Sequence, residues 1–335
     1  MVDGLLRQYP QAGRAGRDQA LGLGVDPPAT GGQRVGPGYP GPMRVFLVDG
    51  TYELFRHYYG VPPHRTAEGA EVAATRGVLW SMLRLVEQGV THLGVATDHV
   101  IESFRNRLWP AYKSSAGLDP QLLGQFGLLE VALEAMGVVV WPMVELEADD
   151  ALAGAAAAAA DDPRVEQVVI CTPDKYLGQC VRGGRVVQLD RRNRVVYDEA
   201  GVTAKFGVAP ASIPDYLALV GDSADGYPGL PGWGARSAAA VLAHYGTIEA
   251  IPDTPGQWVV AVRSRPALAA TLRDQRRLAM LFKDLATLRV DRSLLPEVER
   301  LRWAGPTPLF GEVCQRIDAR SLATAADRVA TQRRA

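Results

Sequence analysis

Apolar residues fall in short blocks separated by longer stretches with a helical repeat. Arg44-Val-Phe-Leu-Val48, His92-Leu-Gly-Val-Ala-Thr97, Val138-Val-Val-Trp141 and Gln167-Val-Val-Ile-Cys-Thr172 are hydrophobic runs of strand length. Such runs suit strands covered on both faces. Between them, Val72 to Glu87 and Leu122 to Met136 carry apolar positions at helical spacing, and Asp149 to Ala160 is an alanine-rich helix. Gly137 closes the helix before it as a C-cap does. Strands alternating with helices predict an α/β fold, a parallel sheet with helices on both faces. Arg185 to Tyr197 predicts a hairpin with Arg191 to Arg194 at its turn. From Ile213 the pattern becomes helical, interrupted by Gly226 to Gly234, and a last strand is expected near Leu288 to Val290. No internal repeat is found.

Composition narrows the class. The chain has 335 residues, 47% hydrophobic and 22% charged, as in globular proteins of one large or two modest domains. No apolar run reaches the roughly 18 residues of a membrane span, and no signal peptide opens the chain. Cys171, Cys180 and Cys314 make no CxxC pair, which favours a reducing cytoplasm and opposes a structural zinc site. Residues 1–42 are rich in Gly, Pro, Gln and Arg and lack periodicity. They are expected to be disordered or a non-native extension, with Met43 as an alternative start. The net charge of −1 lends nucleic acid no support by itself.

The carboxylates change the picture. Asp49 and Asp98 end the first two strands, Glu147, Asp149 and Asp150 follow the third, and Asp174 follows the fourth. Asp222 and Asp225 follow the helix that begins at Ile213. One Asp at a strand end reads equally well as a turn former or helix cap. Four strand ends, each with an acid, converge on the rim where open parallel sheets bind ligands. Crowded anions repel unless cations neutralise them. Oxygen donors without His or Cys point to Mg²⁺ or Mn²⁺. Two ions roughly 4 Å apart suit attack of water on a phosphodiester. Next comes Gly221 to Arg236, where Gly229, Gly232 and Gly234 permit close backbone approach and a helix start offers amides to a phosphate.

Together Val48-Asp-Gly50, Ser103-Phe-Arg105 with Tyr112-Lys113, Glu147-Ala-Asp-Asp150, Thr172-Pro-Asp-Lys175 and Gly221-Asp-x-x-Asp through Gly232-Trp-Gly234 resemble the 5′–3′ exonuclease family. This is the family of flap endonucleases and of the 5′-nuclease domain of bacterial DNA polymerase I. The resemblance spans about Met43 to Val290. It implies a PIN-like nuclease domain over 43–210, a helix-three-turn-helix DNA-binding region over 211–290 and a helical tail over 291–335. It implies that Asp49, Asp98, Glu147, Asp149, Asp150 and Asp174 surround a first metal and that Asp222 and Asp225 hold a second. Asp149, Asp174 and Lys113 are then the catalytic groups, Lys113 stabilising the scissile phosphate. Arg105, Lys113, Gly232, Gly234 and Arg236 would contact DNA. The carbonyls of Leu219, Val220, Pro228, Leu230 and Trp233 would hold K⁺. The implied partner is duplex DNA with a 5′ single-stranded end or flap, together with repair or replication proteins, for a monomeric cytoplasmic enzyme. No polymerase domain is expected after Ala335.

Three departures stand out. Tyr176 occupies a place where the family usually has an acid. No Lys or Arg lies between Lys113 and Arg164, which leaves any arch over a flap with little electrostatic grip. Arg236 stands where Lys is frequent. Other readings differ in class. Leu47-Val-Asp-Gly-Thr51 is similar to the Asp-x-Asp-Gly-Thr of haloacid-dehalogenase phosphatases, but Leu47 cannot serve as their nucleophile. A PIN-type ribonuclease would lack the Gly-rich turn. A DNA-binding protein with weakened catalysis is the alternative that Tyr176 favours. The arginines at 182, 185, 191, 192 and 194, and those at 263, 265, 273, 276 and 277, read either as DNA contacts or as solvated surface.

Overall fold

Six strands form one sheet in the order β3-β2-β1-β4-β5-β6. A computed structural model of the chain describes Met43 to Arg334. The expected disordered extension at 1–42 lies outside the described residues. The strands are β1 Met43–Asp49, β2 His92–Asp98, β3 Val139–Met143, β4 Val165–Cys171, β5 Val186–Asp190 and β6 Val195–Tyr197. Strands β1 to β5 pair in parallel, and β6 runs antiparallel to β5 as the hairpin pattern predicts.

Residues of β1 and β4 alternate between two cores. Val45, Leu47, Val168 and Ile170 face the helix Ala148–Asp161, whose Ala151, Ala155 and Ala159 are fully buried. Small side chains let that helix lie close to the sheet. Val48, Val169 and Cys171 face the other way, toward the helices Gly50–Gly60, Ala73–Glu87 and Pro120–Ala135. Both faces are covered, as runs of consecutive apolar residues require. Pro142 in β3 is tolerated because β3 is an edge strand.

The helical part begins with Ile213–Val220, and Arg276–Ala286 packs against it. The strand expected at Leu288 to Val290 does not form. The Leu288 amide donates to Gln179 Oε1 at 3.1 Å and the Arg289 amide to Asp150 Oδ1 at 2.8 Å, so side chains take the bonds a ladder would need. The tail ends in the helices Phe310–Arg316 and Arg320–Arg334, which pack on the second core through Phe310, Cys314, Leu322 and Ala326.

A buried ion pair ties these parts together. Arg105 is 1% exposed and Asp150 fully buried. The guanidinium donates to both Asp150 oxygens at 2.8 Å and through Nε to the Leu285 carbonyl at 2.8 Å. It also donates to the Thr287 carbonyl at 3.4 Å. The helix bearing the acids is thereby joined to the end of Arg276–Ala286. No helix among the described residues is long and apolar enough to cross a membrane.

Candidate metal centre

The parallel strands deliver their acids to one rim. Asp49 ends β1 and caps the next helix, with Oδ1 accepting the Tyr52 amide at 2.8 Å and Oδ2 the Thr172 hydroxyl at 2.9 Å. Asp98 ends β2, and its Oδ1 accepts the Ala148 amide at 2.7 Å. Glu147 caps the helix Ala148–Asp161, and Asp149 lies in its first turn. Asp174 follows β4 and caps the 3₁₀ turn Lys175–Cys180. Asp49, Asp98, Glu147, Asp149, Asp174, Asp225 and Lys113 line one cleft.

Electrostatics shows how far the anions outweigh their partners. Burial pushes the Asp49 carboxyl up to about 7, with Asp98 and Asp174 adding repulsion. Burial likewise takes Asp225 to about 7, beside Asp222 and Glu147. Asp149 stands well above the usual carboxylate range through burial and the charges of Asp174 and Asp49. Burial also raises Asp98 and Asp174. Glu147 is the exception. Burial would raise it, but Lys113 and Arg105 outweigh that and hold it low. Lys113 Nζ lies 2.9 Å from Glu147 Oε2, and the Ser103 hydroxyl donates to Oε1 at 2.6 Å. Among the described residues, no three carboxylates stand close enough to form a ready-made coordination cage. The cluster is a crowd of poorly compensated anions anchored by backbone amides and hydroxyls.

Three expected site residues, Asp150, Asp222 and Arg105, do not line the cleft; Asp222 pairs with Lys175 at 2.7 Å. The Asp150 oxygens accept Arg105 and the amides of Glu147, at 2.9 Å, and Arg289. The helix turns about 100° per residue, so Asp149 and Asp150 point to different faces. Arg105 is likewise too buried to meet DNA.

The Gly-rich loop is held against the Lys113 segment. The Lys113 amide donates to the Asp225 carbonyl at 3.0 Å, and Trp109 Nε1 to the Gly226 carbonyl at 3.0 Å. Gly226 has φ +84°, and a Cβ there would collide with the Ala111 carbonyl, so the close approach requires glycine. Backbone around 219–221 packs directly on 228–230, with the Leu230 amide donating to the Leu219 carbonyl at 2.9 Å. The Leu230 carbonyl accepts the Trp233 amide at 3.1 Å. Gly232, Gly234 and Arg236 are exposed at the start of the helix Ala235–Tyr245.

Several arginines prove structural. Arg191 pairs with buried Glu53 at 3.1 Å, and Arg185 Nη2 donates to the carbonyls of Ala160 and Asp162 at 2.8 Å. Arg276 donates to the Ile248 and Ile251 carbonyls at 2.9 and 2.8 Å. Tyr227 was missed in the sequence. Its hydroxyl lies 2.6 Å from that of Tyr176. Two buried tyrosines at motif positions were the available signal.

Residues 44–207 match the family described as 5′-3′ exonuclease, N-terminal resolvase-like domain, and residues 208–308 its C-terminal SAM fold. A 5′-3′ exonuclease of Aquifex aeolicus is 32% identical over 209 residues, covering 62% of this chain and 71% of that protein. DNA polymerase I of Pseudomonas aeruginosa is 33% identical over 267 residues, covering 76% of this chain, which spans only 28% of the polymerase's length. The T5 D15 protein co-crystallised with metal ions shares the fold, with TM-score 0.59 and 16% identity over 85% of this chain and 98% of that one. The catalytic core of Rad2 in complex with DNA substrate gives TM-score 0.56 and 15% identity over 86% and 92%.

Proposed function

The chain belongs to the 5′–3′ exonuclease family, and from that premise we propose that it is a structure-specific 5′ nuclease acting on DNA. The observation that carries the reading is the single cleft lined by Asp49, Asp98, Glu147, Asp149 and Asp174 with Lys113 among them.

The donor set fits one hard divalent cation, Mg²⁺ or Mn²⁺. All its side-chain donors are carboxylate oxygens. The raised carboxyls of Asp49 and Asp149 mark a deficit of positive charge that a cation would fill. Asp49, Asp98, Glu147, Asp149 and Asp174 would hold it. When bound, such an ion lowers the pKa of water and polarises a phosphoryl oxygen. In the hydrolysis, the water oxygen bonds to phosphorus and the P–O bond to the leaving strand breaks. The water releases one proton, and the leaving oxygen takes one up. Lys113, whose ammonium sits 2.9 Å from Glu147 in the cleft, would bring positive charge to the charge developing on phosphate. Thr172 and the Tyr52 amide fix Asp49, and the Ala148 amide fixes Asp98.

Exposed Gly232, Gly234 and Arg236 suit a duplex phosphate at a helix start. The carbonyls of Leu219, Val220, Pro228, Leu230 and Trp233 are the proposed K⁺ donors beside it. The substrate is duplex DNA with a 5′ end or flap, in repair or replication, and the enzyme works as a cytoplasmic monomer. The nuclease unit is assigned to 43–210, the DNA-binding region to 211–290 and the tail to 291–335.

The test is cleavage of flap, nicked and single-stranded DNA with and without Mg²⁺ or Mn²⁺, in wild type and in Asp149→Asn and Asp174→Asn. Metal-dependent cutting that both substitutions abolish, with DNA binding kept, is expected. Full activity in either variant sinks the site. Binding without cutting in wild type leaves a DNA-binding protein.

A further inference from the structure

The residues around Asp222 and Asp225 do not fit a second divalent ion. Tyr176 stands where an acid would complete such a site. It is 3% exposed, and Tyr227 is 1% exposed. Their hydroxyls meet at 2.6 Å. Tyr227 belongs to the loop that carries both aspartates, exchanging backbone hydrogen bonds with Asp222 at 2.8 and 3.0 Å. Its ring packs on Phe282 at 5.3 Å between centroids. The pair is therefore built into the core of the helical part. A phenol is neutral at neutral pH, and these two are buried against each other. Two neutral hydroxyls bonded to each other are poor donors for a hard dication, which takes anionic oxygen.

A cation of a different kind is already present. Lys175 Nζ lies 2.7 Å from Asp222 Oδ2. Asp222, one of the two acids left for a second metal, is thus already paired with an ammonium. A dication entering there would have to displace Lys175 and lose water beside a phenol pair that returns little.

We propose that this nuclease holds a divalent ion at the first position only, and that the Lys175 ammonium, anchored by Asp222 and walled by the Tyr176–Tyr227 pair, supplies the positive charge of the second. The proposal rests on the nuclease reading above and adds a stoichiometry and a residue to it. Lys175 delivers one charge on a covalent tether, so this charge does not vary with metal concentration.

The experiment is Mn²⁺ binding to the full chain by calorimetry and electron paramagnetic resonance. Wild type is expected to bind one ion, with no manganese–manganese coupling. The Lys175→Ala, Tyr176→Asp double variant is expected to bind two coupled ions. Two ions in wild type overturn the proposal, and that arm stands even if the double variant does not fold. Lys175→Ala alone should still bind one ion and flap DNA, but cut about 100-fold more slowly, the loss typical of one electrostatic stabiliser. Unchanged cutting in that variant overturns the role of Lys175. Wild type that binds no ion and cuts nothing sinks the nuclease reading, and this proposal with it.

Discussion

Asp149→Asn and Asp150→Asn should have opposite effects, although the two residues are neighbours of the same type. Asp150 is fully buried and accepts two guanidinium hydrogen bonds at 2.8 Å. It also takes the amides of Glu147 and Arg289 at 2.9 and 2.8 Å. Neutralising it leaves Arg105, 1% exposed, as a buried charge with only Glu147, 3.4 Å away, as a carboxylate partner. Breaking one side of such a pair costs about 3–5 kcal/mol. At about 1.5 °C per kcal/mol for a chain of this size, the Tm should fall by about 4–8 °C. Asp149 faces the cleft, where burial, and then repulsion from Asp174 and Asp49, hold its carboxyl up. Removing that charge should leave the metal-free Tm unchanged or raise it, while weakening Mn²⁺ binding. The assay is thermal unfolding in EDTA and in Mn²⁺, followed by a Mn²⁺ titration. An Asp150→Asn protein with parental Tm and lost metal affinity would refute the division of roles.

Two further outcomes are expected. Without metal, folded Asp49 and Asp225 keep their protons up to about 7, against 3.8 for the free side chain. The folded state then binds more protons than the unfolded one, so stability should fall as pH rises from about 4 to about 7. Mn²⁺ should flatten or reverse that fall in Tm-versus-pH curves, and a rising curve in EDTA would contradict it. Arg236→Ala should weaken duplex binding and make the log–log salt slope shallower by about 0.9, one phosphate contact. An unaltered slope in a salt titration would remove Arg236 from the interface.

The sheet and its acidic rim were legible because they follow from local pattern. The four apolar runs before residue 173 became strands of the parallel sheet, and in β1 and β2 a carboxylate closes the run. The distinction between Asp149 and Asp150 was not legible from residue type, since either suits a helix N-terminus. It depends on rotation about the helix and on Arg105, distant in sequence, lying opposite one of them. Arg105 was misread because a charged residue in a motif suggests a surface role, and its carbonyl partners at Leu285 and Thr287 are some 180 residues away. Leu288 to Val290 has strand-like composition but sits where side chains of Gln179 and Asp150 take its amides. In the Tyr176–Tyr227 pair, only the first partner stood out in sequence, because its contact crosses between the two halves of the chain.

The knot around Arg105 also bears on how this protein can be divided. The two family matches meet between residues 207 and 208, and a cut there looks like a clean way to isolate the half with the acidic cleft. Such a fragment would keep Arg105 and Asp150 but lose the Leu285 and Thr287 carbonyls and the Arg289 amide. It would also lose the Asp225 carbonyl that receives the Lys113 amide. The cut would also uncover the apolar surface now packed against the helix Arg276–Ala286, whose Phe282 and Leu285 are buried, and that exposure is unfavourable. The seam between the two family domains is crossed by buried contacts. Graft or truncation designs that swap one half for a relative's would need to carry residues 285–289 along with the nuclease half.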